Sequence, residues 1–311
     1  TFLVGYCRFI DQSLVSIPLS YLSTFWVFGF IGFLFLPIFY IAIRENMILS
    51  GRLLQLLHCV LFLPGLSFWT SAIGKDGLMM VGISSFMFSL NHMSKRKKWF
   101  VFGVCLTFMV RPHVSAILLI ALGLGLLVHS QFIRSKFILC LCLVAGIGAP
   151  ILIKFVLSTV KVQMSSLSEL ANIVQILSSI IERQGQYYRA GSYVPIQEYP
   201  LLLKWFTFLY RPLFIDAKNA MMLASSCENV IYFGLSGFMF HRYSLSFFLK
   251  RKSLFFTVNV FFLVIFVGFF SLFIGNLGLI NRFKVMVIPS LLSIIFISQS
   301  YYRWVIHKKK Q

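Results

Sequence analysis

Apolar runs long enough to cross a lipid bilayer recur along this chain and restrict the folds open to it. The first, residues 21–43, contains no charged side chain and meets the ~20 residues that a spanning helix needs. The 311 residues are 59% hydrophobic and 12% charged, whereas soluble domains are roughly 45–50% apolar and about 25% charged. We therefore predict an all-α, polytopic integral membrane protein in which residues 1–311 form a single transmembrane helical domain.

Most of the positive charge lies in short clusters between the apolar runs. The formal net charge is +20, and its clusters lie at residues 95–98, 250–252 and 308–310. The positive-inside rule accounts for such clusters without a nucleic-acid partner. Placing them in the cytoplasm puts the C-terminus inside and gives about nine transmembrane helices: residues 21–43, 53–73, 77–90, two within 99–130, 137–156, 219–240, 253–274 and 285–304.

Breaks within the apolar pattern predict bends and loops. Pro64 and Gly65 indicate a kink or break in the second crossing, and Pro112 disfavours helix at Arg111, which indicates a turn there. Residues 157–218 form the predicted outer loop. Within it, residues 160–181 have apolar side chains at helical spacing, which is typical of a helix lying at the membrane interface. Residues 275–284 form a predicted outer turn.

The cysteines and the start of the chain carry no catalytic signature. The six cysteines lie mainly in apolar segments, without CxxC or Cys/His ligand spacing. We therefore predict packing residues, no disulfide framework and no metal site. Nucleotide-binding glycine patterns and zinc signatures are absent from the sequence, so we expect no cofactor. Because the chain begins with Thr1 and shows no signal peptide, we expect further sequence upstream.

Charged side chains recur on the predicted outer side, where positive charge should be scarce. Arg111 and His113 flank Pro112 in an outer turn that needs neither a guanidinium nor an imidazole. An arginine fork matches phosphate oxygens at two points, and a histidine can take a proton from an attacking hydroxyl near neutral pH. We therefore predict catalytic roles for both. A snorkelling arginine beside an uninvolved histidine is the structural alternative.

Lys75 and Asp76 lie between two apolar segments and have two interpretations. They form either a phosphate-binding lysine with its orienting carboxylate, or a salt bridge at a helix boundary. Gly74 and Asp76 also suit the start of a helix without any catalytic role. Charges at such boundaries are often only anchors in the headgroup region.

Further candidates follow later in the chain. Arg211 precedes a predicted helix, and Glu228 lies near its middle, where a carboxylate must be protonated, paired or facing water. Glu228 is a candidate general base or proton relay. Arg282 and Lys284 follow the Gly-Asn-Leu-Gly turn, so backbone amides and two cations could converge on one anion. The predicted catalytic residues are thus Asp76, Arg111, His113 and Glu228, and the predicted phosphate-binding residues are Lys75, Arg211, Arg282 and Lys284.

Four of these segments carry a resemblance to a known group of proteins. The stretches FWTSAIGKD, RPH, RPLFID with Glu228-Asn229, and GNLGLINRFKVMVIPSLL resemble bacterial oligosaccharide repeat-unit polymerases of the Wzy type, and more distantly O-antigen ligases and GT-C glycosyltransferases. The resemblance covers residues 53–292. A GT-C enzyme would normally carry an acidic pair in its first outer loop, for which this chain offers only Asp11 or a segment upstream.

The resemblance implies both a function and a place in the cell. In those families, arginines on outer loops hold the pyrophosphate of an undecaprenyl-linked sugar without a metal, and Arg111, Arg211 and Arg282 match in kind. It implies a multi-pass protein of the bacterial inner membrane that makes O-antigen, capsule or exopolysaccharide. Its partners would be a polyprenyl-linked oligosaccharide, the lipid bilayer and other polysaccharide-assembly proteins. A transporter or flippase for a lipid-linked or anionic solute is the alternative, indicated by the Pro64-Gly65 break and Glu228.

Overall fold

The computed structural model describes residues 21–48, 51–128, 192–240, 247, 253–272 and 274–310. These residues are helical and contain no strand, apart from an isolated bridge between Tyr193 and Asn276, so the prediction of an all-α chain is confirmed. The helices are α1 (Tyr21–Phe33), α2 (Phe35–Arg44), α3 (Gly51–Leu61), α4 (Pro64–Ser71), α5 (Lys75–Leu90), α6 (Lys97–Val110), α7 (Pro112–Val128), α8 (Leu201–Tyr210), α9 (Ala220–Gly237), α10 (Leu254–Phe270), α11 (Leu277–Lys284) and α12 (Ile288–Lys310).

The described helices include fewer clear membrane spans than the sequence predicts. Within these residues, one continuous helical stretch, Thr24–Arg44, is long and apolar enough to cross a bilayer. The number rises to three if the bent pairs α3–α4 and α11–α12 each count as one span. Helices α7, α8 and α10 are apolar but shorter than a full span. The apolar helices are compatible with membrane association, but nine crossings are not confirmed.

Two interruptions predicted from the sequence can be compared with the structure, one at Pro64 and Gly65 and one at residues 275–284. The predicted break at Pro64 and Gly65 is confirmed, because α4 begins at Pro64 and α3 meets it at 45°. Proline suits this first helical position, since its missing N–H would have no partner there. Residues 275–284, by contrast, are predicted as a turn and differ in the structure. They contain the helix α11, which begins after Asn276 because that side chain accepts the N–H of Leu279 at 3.1 Å.

Helix α5 lies at the centre of the described bundle, with 13 of its 16 residues buried. Small residues let the neighbouring backbones approach closely. A Cβ added to Gly77 would come within 2.5 Å of the Thr70 carbonyl oxygen on α4, and one added to Gly32 on α1 would come within 2.0 Å of the same atom. This crossing of α1, α4 and α5 leaves no space for a larger residue. It also fixes the position of Asp76, the residue before Gly77.

Part of the predicted outer region lies outside the described residues. The predicted crossing at 137–156 and the predicted interfacial helix at 160–181 both fall within residues 129–191, which are not described. Of the predicted loop at 157–218, residues 192–218 are described. They contain α8 and short 3-10 turns at Ile196–Glu198 and Phe214–Asp216. The backbone N–H of Leu277 donates to the carbonyl of Ser192 at 3.0 Å, so this segment packs against the start of α11.

Candidate functional site

Asp76 joins two arginines that are far apart in the sequence. Its Oδ1 accepts a hydrogen bond from Arg111 Nη2 at 2.5 Å, and its Oδ2 accepts one from Arg282 Nε at 2.6 Å. The Asp76 side chain is 6% exposed, that of Arg111 is 11% exposed and that of Arg282 is 39% exposed. The carboxylate is therefore buried between one enclosed guanidinium and one that reaches the surface.

The local sequence explains why Arg111 reaches Asp76. Pro112 begins α7, so Arg111 forms the one-residue joint between α6 and α7, and its backbone N–H donates to the Thr107 carbonyl at 2.8 Å. The predicted turn at Arg111 is thus confirmed. Its guanidinium lies 4.9 Å from the centre of the Phe283 ring and contacts the sulfur of Met286 at 3.6 Å. An arginine held by a carboxylate and an aromatic face is a well-satisfied buried cation.

A second ion pair forms within the link between α8 and α9. Arg211 donates from Nε to Asp216 Oδ2 at 2.9 Å, and from Nη2 to Oδ1, so the pair is bidentate. Asp216 Oδ2 also accepts the backbone N–H of Leu213 at 2.9 Å. The hydrogen bonds from Arg211, aided by that of Leu213, hold the pKa of Asp216 below its ordinary value. The two-point face of this arginine is therefore already occupied by a carboxylate.

Lys284 ties α11 to α9 and to the same link. The residue is 4% exposed, and its Nζ donates to Asn229 Oδ1 at 2.6 Å and to the carbonyl oxygen of Arg211 at 3.0 Å. Asn229 in turn donates to the Pro212 carbonyl at 2.8 Å. Buried polar groups without partners are costly, and this network supplies hydrogen-bond partners for Lys284 and Asn229. Lys284 thus joins three segments that are distant in sequence.

Glu228 lies at the break between α3 and α4. Its Oε1 accepts the backbone N–H of Gly65 at 2.6 Å, in the first turn of α4, where a carboxylate satisfies an otherwise unpartnered amide. A Cβ at Gly65 would lie 2.2 Å from Glu228 Oε2, so a larger residue there would require the carboxylate to shift. The glutamate is 8% exposed. Its Oε2 accepts no hydrogen bond from the described residues, so it can accept one from a ligand.

A cavity of about 460 Å³ opens beside this carboxylate. We name it the Glu228 cavity. Asn281, at 8% exposure, also lines it, and its Oδ1 accepts no hydrogen bond within the described part of the chain. A buried amide oxygen of this kind calls for a donor beyond those that the described residues supply. Other lining residues are Phe68, Trp69, Ser192, Lys218 and Asn219.

The predicted site residues thus separate into groups. Asp76, Arg111 and Arg282 form one cluster, and Arg211, Glu228 and Lys284 lie around the link and the neighbouring helix α9. Lys75 is exposed and takes part in none of these hydrogen bonds or ion pairs. The ring of His113 packs against Phe270 at 5.9 Å between centroids. None of the predicted cations Lys75, Arg111, Arg211, Arg282 and Lys284 lines the Glu228 cavity, although Lys284 and Glu228 share a small neighbouring cavity.

Sequence reasoning missed the neutral residues of the site. Asn281 and Gly65 were not predicted as catalytic or binding residues, although their neighbours Arg282 and Pro64 were identified from the sequence. Their signal was positional: Asn281 directly precedes Arg282, and Gly65 follows the proline of the broken crossing. Among the described residues, no group of three or more His, Cys, Asp or Glu side chains could hold a metal ion.

Comparison with known proteins assigns no class to this arrangement. No protein-family model, no curated protein and no solved structure matches the chain. Any functional assignment therefore depends on the residues and geometry described above.

Proposed function

We propose that this protein is a membrane glycosyltransferase of the glycan-polymerase type, using a sugar donor linked to polyprenyl phosphate or pyrophosphate. The observation that carries the proposal is the Glu228 cavity, which Glu228 and Asn281 both line and where Asn281 Oδ1 has no hydrogen-bond partner among the described residues. Neutral hydrogen-bonding side chains and aromatic rings in one concave site suit a sugar, which presents many hydroxyl groups on an apolar ring.

Glu228 is the proposed general base. Its Oε1 is held by the Gly65 amide, which leaves Oε2 to receive the proton of an acceptor sugar hydroxyl. The hydroxyl oxygen then attacks the anomeric carbon of the donor and forms the new glycosidic bond. The bond between that carbon and the phosphate oxygen breaks, and its electron pair remains on the leaving phosphate. Asn281 accepts a hydrogen bond from a neighbouring hydroxyl and orients the sugar.

Arg282 is the proposed ligand of the leaving phosphate. Only its Nε is engaged with Asp76, so within the described contacts its two terminal nitrogens remain available at the surface. Two parallel N–H groups match phosphate oxygens, and stabilising charge on the leaving group is a main catalytic term. Asp76 is then a positioning residue. Arg111, which the sequence assigned to phosphate, holds Asp76 from the buried side.

The proposal includes a cellular setting. The protein would be a multi-pass protein of the bacterial inner membrane, with about nine crossings, the Glu228 cavity on the outer face and the C-terminus in the cytoplasm. It would extend an O-antigen, capsule or exopolysaccharide from a polyprenyl-linked oligosaccharide, beside other polysaccharide-assembly proteins. The charge distribution supports this orientation. The basic clusters at residues 95–98, 250–252 and 308–310 mark the cytoplasmic side, and the predicted crossings place Asp76 and its arginine partners on the opposite side.

Transport is a second candidate, favoured by one contact. Glu228 binds the amide at the start of α4, beside a 45° bend, and discontinuous helices with charged ligands at their ends are typical of transporter sites. In a transporter or flippase for a lipid-linked or anionic solute, the same carboxylate would bind the proton or cation that is coupled to transport. It would move its substrate across the membrane without forming a glycosidic bond.

Reconstitution separates the two candidates. Purified protein in vesicles would receive a polyprenyl pyrophosphate-linked oligosaccharide, and the products would be separated by glycan length. We expect longer glycans and released polyprenyl pyrophosphate from the unmodified protein. Glu228→Gln should lower the rate by about 10²–10⁴-fold, the range for a lost general base. Glu198→Gln, which changes an exposed glutamate outside the cavity, is the matched control. Translocation of the lipid without chain extension would refute transfer and favour the transporter.

A further inference from the structure

A second cavity lies at the far end of α9, away from the Glu228 cavity. It has a volume of about 570 Å³ and lies between α3, α9 and α12. We name it the Gly237 cavity, after the last residue of α9, which lines it. Most of its wall is aliphatic or aromatic, including the buried Leu53, Ile295 and Phe296. A space of this composition accepts hydrocarbon and offers little to a sugar.

One side of this cavity reaches the protein surface. Leu56 is 39% exposed and Phe238 is 50% exposed, and both belong to the lining. The amide of Gln299 donates to the carbonyl of Phe238 at 2.8 Å, so this polar lining group is already engaged. A long apolar chain could therefore enter between α3 and α9 without passing a charged group.

Positive charge marks one end of the Gly237 cavity. Arg303 lines it and is exposed, and it makes no ion pair with the described residues. Lys308 follows on α12, roughly 7–8 Å further along the axis, with its Nζ 5.5 Å from the centre of the Trp304 ring. Residues 288–310 contain no acidic side chain. An apolar space that ends at unneutralised cations complements an amphipathic anion.

We infer that the Gly237 cavity binds one anionic phospholipid of the surrounding bilayer, with an acyl chain between α3, α9 and α12 and its phosphate at Arg303. Basic pockets between helices on the cytoplasmic side of a membrane bind anionic headgroups in this manner. The site is separate from the proposed transferase site, and it needs only that the protein reside in a membrane. A zwitterionic phospholipid would fill the same apolar space, but its choline cation would offset the attraction between its phosphate and Arg303.

Native mass spectrometry of the purified full-length chain tests the headgroup part of this inference. The probes are phosphatidylglycerol and phosphatidylcholine with identical acyl chains, supplied at equal concentration. We expect the anionic lipid to be retained about fivefold more, as one nearby cation contributes. Arg303→Gln alters one exposed side chain and should make the retention of the two lipids equal. Equal retention by the unmodified protein would overturn the inference.

A pair of glycine variants tests the apolar part. A Cβ at Gly237 would meet no atom within 4 Å, so Gly237→Leu should fill the cavity without a clash and lower the retention of both lipids. Gly234→Leu is the matched control, because Gly234 has the same free space on the same helix but does not line the cavity. Unchanged retention in Gly237→Leu would overturn the inference. So would displacement of phosphatidylglycerol by equimolar polyprenyl phosphate, which would assign the cavity to the donor lipid. No arm requires glycan transfer, so failure here is distinct from failure of the proposed function.

Discussion

At one end of α5, Asp76 binds Arg111 and Arg282, and at the other end Glu45 accepts two hydrogen bonds from Arg96 and one from Asn91 at 2.6–2.7 Å. Both ends thus hold a carboxylate with arginine partners, and Glu45 also lines a cavity of about 500 Å³. Burial differs. The Glu45 and Arg96 side chains are 29% and 20% exposed, whereas those of Asp76 and Arg111 are 6% and 11% exposed.

The ends also differ in how fully their polar atoms are used. At the Glu45 end, Asn46 donates to Asn91 at 2.7 Å and accepts from Ser253 at 2.8 Å, so the amides satisfy one another and join α2, α5 and α10. At the Asp76 end, the terminal nitrogens of Arg282 make no hydrogen bond within the described contacts. Nor do Oδ1 of the preceding residue, Asn281, and Oε2 of Glu228, two residues that both line the Glu228 cavity. The two ends of α5 therefore differ in capacity, and unused hydrogen-bonding atoms distinguish a candidate site from a structural network.

The largest expected effect is a difference in stability between the two carboxylates. Asp76→Asn leaves Arg111 buried without its counter-ion, and breaking such a pair costs about 3–5 kcal/mol. Glu45→Gln affects a more exposed pair, for which about 0–1 kcal/mol is typical. Thermal unfolding of both variants in detergent measures the difference. Adding Arg111→Met to Asp76→Asn should restore part of the loss, and equal destabilisation by the two single changes would contradict the comparison.

A smaller effect should separate the two arginines that share Asp76. Arg282→Gln removes the surface guanidinium and should lower glycan transfer by about 10²–10³-fold, as for one lost oxyanion donor, while the protein stays folded. Arg111→Gln should instead lower thermal stability, because it removes the enclosed partner of Asp76. Transfer rate and unfolding temperature are measured on the same preparations. Loss of transfer in a fully stable Arg111→Gln variant, with normal transfer in Arg282→Gln, would reverse these assignments.

The smallest expected effect is a dependence on pH that the Arg96–Glu45 pair shares with the Arg211–Asp216 pair of the link between α8 and α9. Hydrogen bonds from Arg211 and Arg96 hold the pKa values of Asp216 and Glu45 below their ordinary values. Each ionised carboxylate therefore stabilises the fold above its unfolded pKa of about 4, and this contribution is lost as the pH falls through the lower folded value. We expect Asp216→Asn to lower the unfolding temperature at pH 7 and to lower it progressively less as the pH falls from about 4 to about 2. A constant difference across that range would contradict the assignment.

The sequence predicted helices and interruptions better than contacts. The apolar periodicity and the prolines at 64 and 112 predicted the starts of α4 and α7, because those signals act on the local backbone. The helix α11 was predicted as a turn. Asparagine is a good N-cap, but Asn276 by itself did not distinguish the start of a helix from a turn. The predicted crossing at residues 137–156 lies outside the described part of the chain.

The partners of the candidate residues depended on tertiary packing. Lys75 and Asp76 are adjacent in sequence, but the helical turn at the start of α5 exposes the lysine and buries the aspartate. The pairing of Asp76 with Arg282 spans 206 positions and has no local signal. The positive-inside rule could place both on one side of a membrane. Their contact depends on the tertiary packing that brings α11 to the start of α5.

The central claim is that glycan transfer takes place in the Glu228 cavity, and blocking that space tests it most directly. Ala224 is an exposed residue of α9 that lines the cavity, whereas its neighbour Leu223 is exposed and does not. The measurement is the rate of glycan extension by reconstituted Ala224→Trp and Leu223→Trp at equal protein and matched unfolding temperature. The account predicts that extension is lost in Ala224→Trp and unchanged in Leu223→Trp. Normal extension by Ala224→Trp would contradict it.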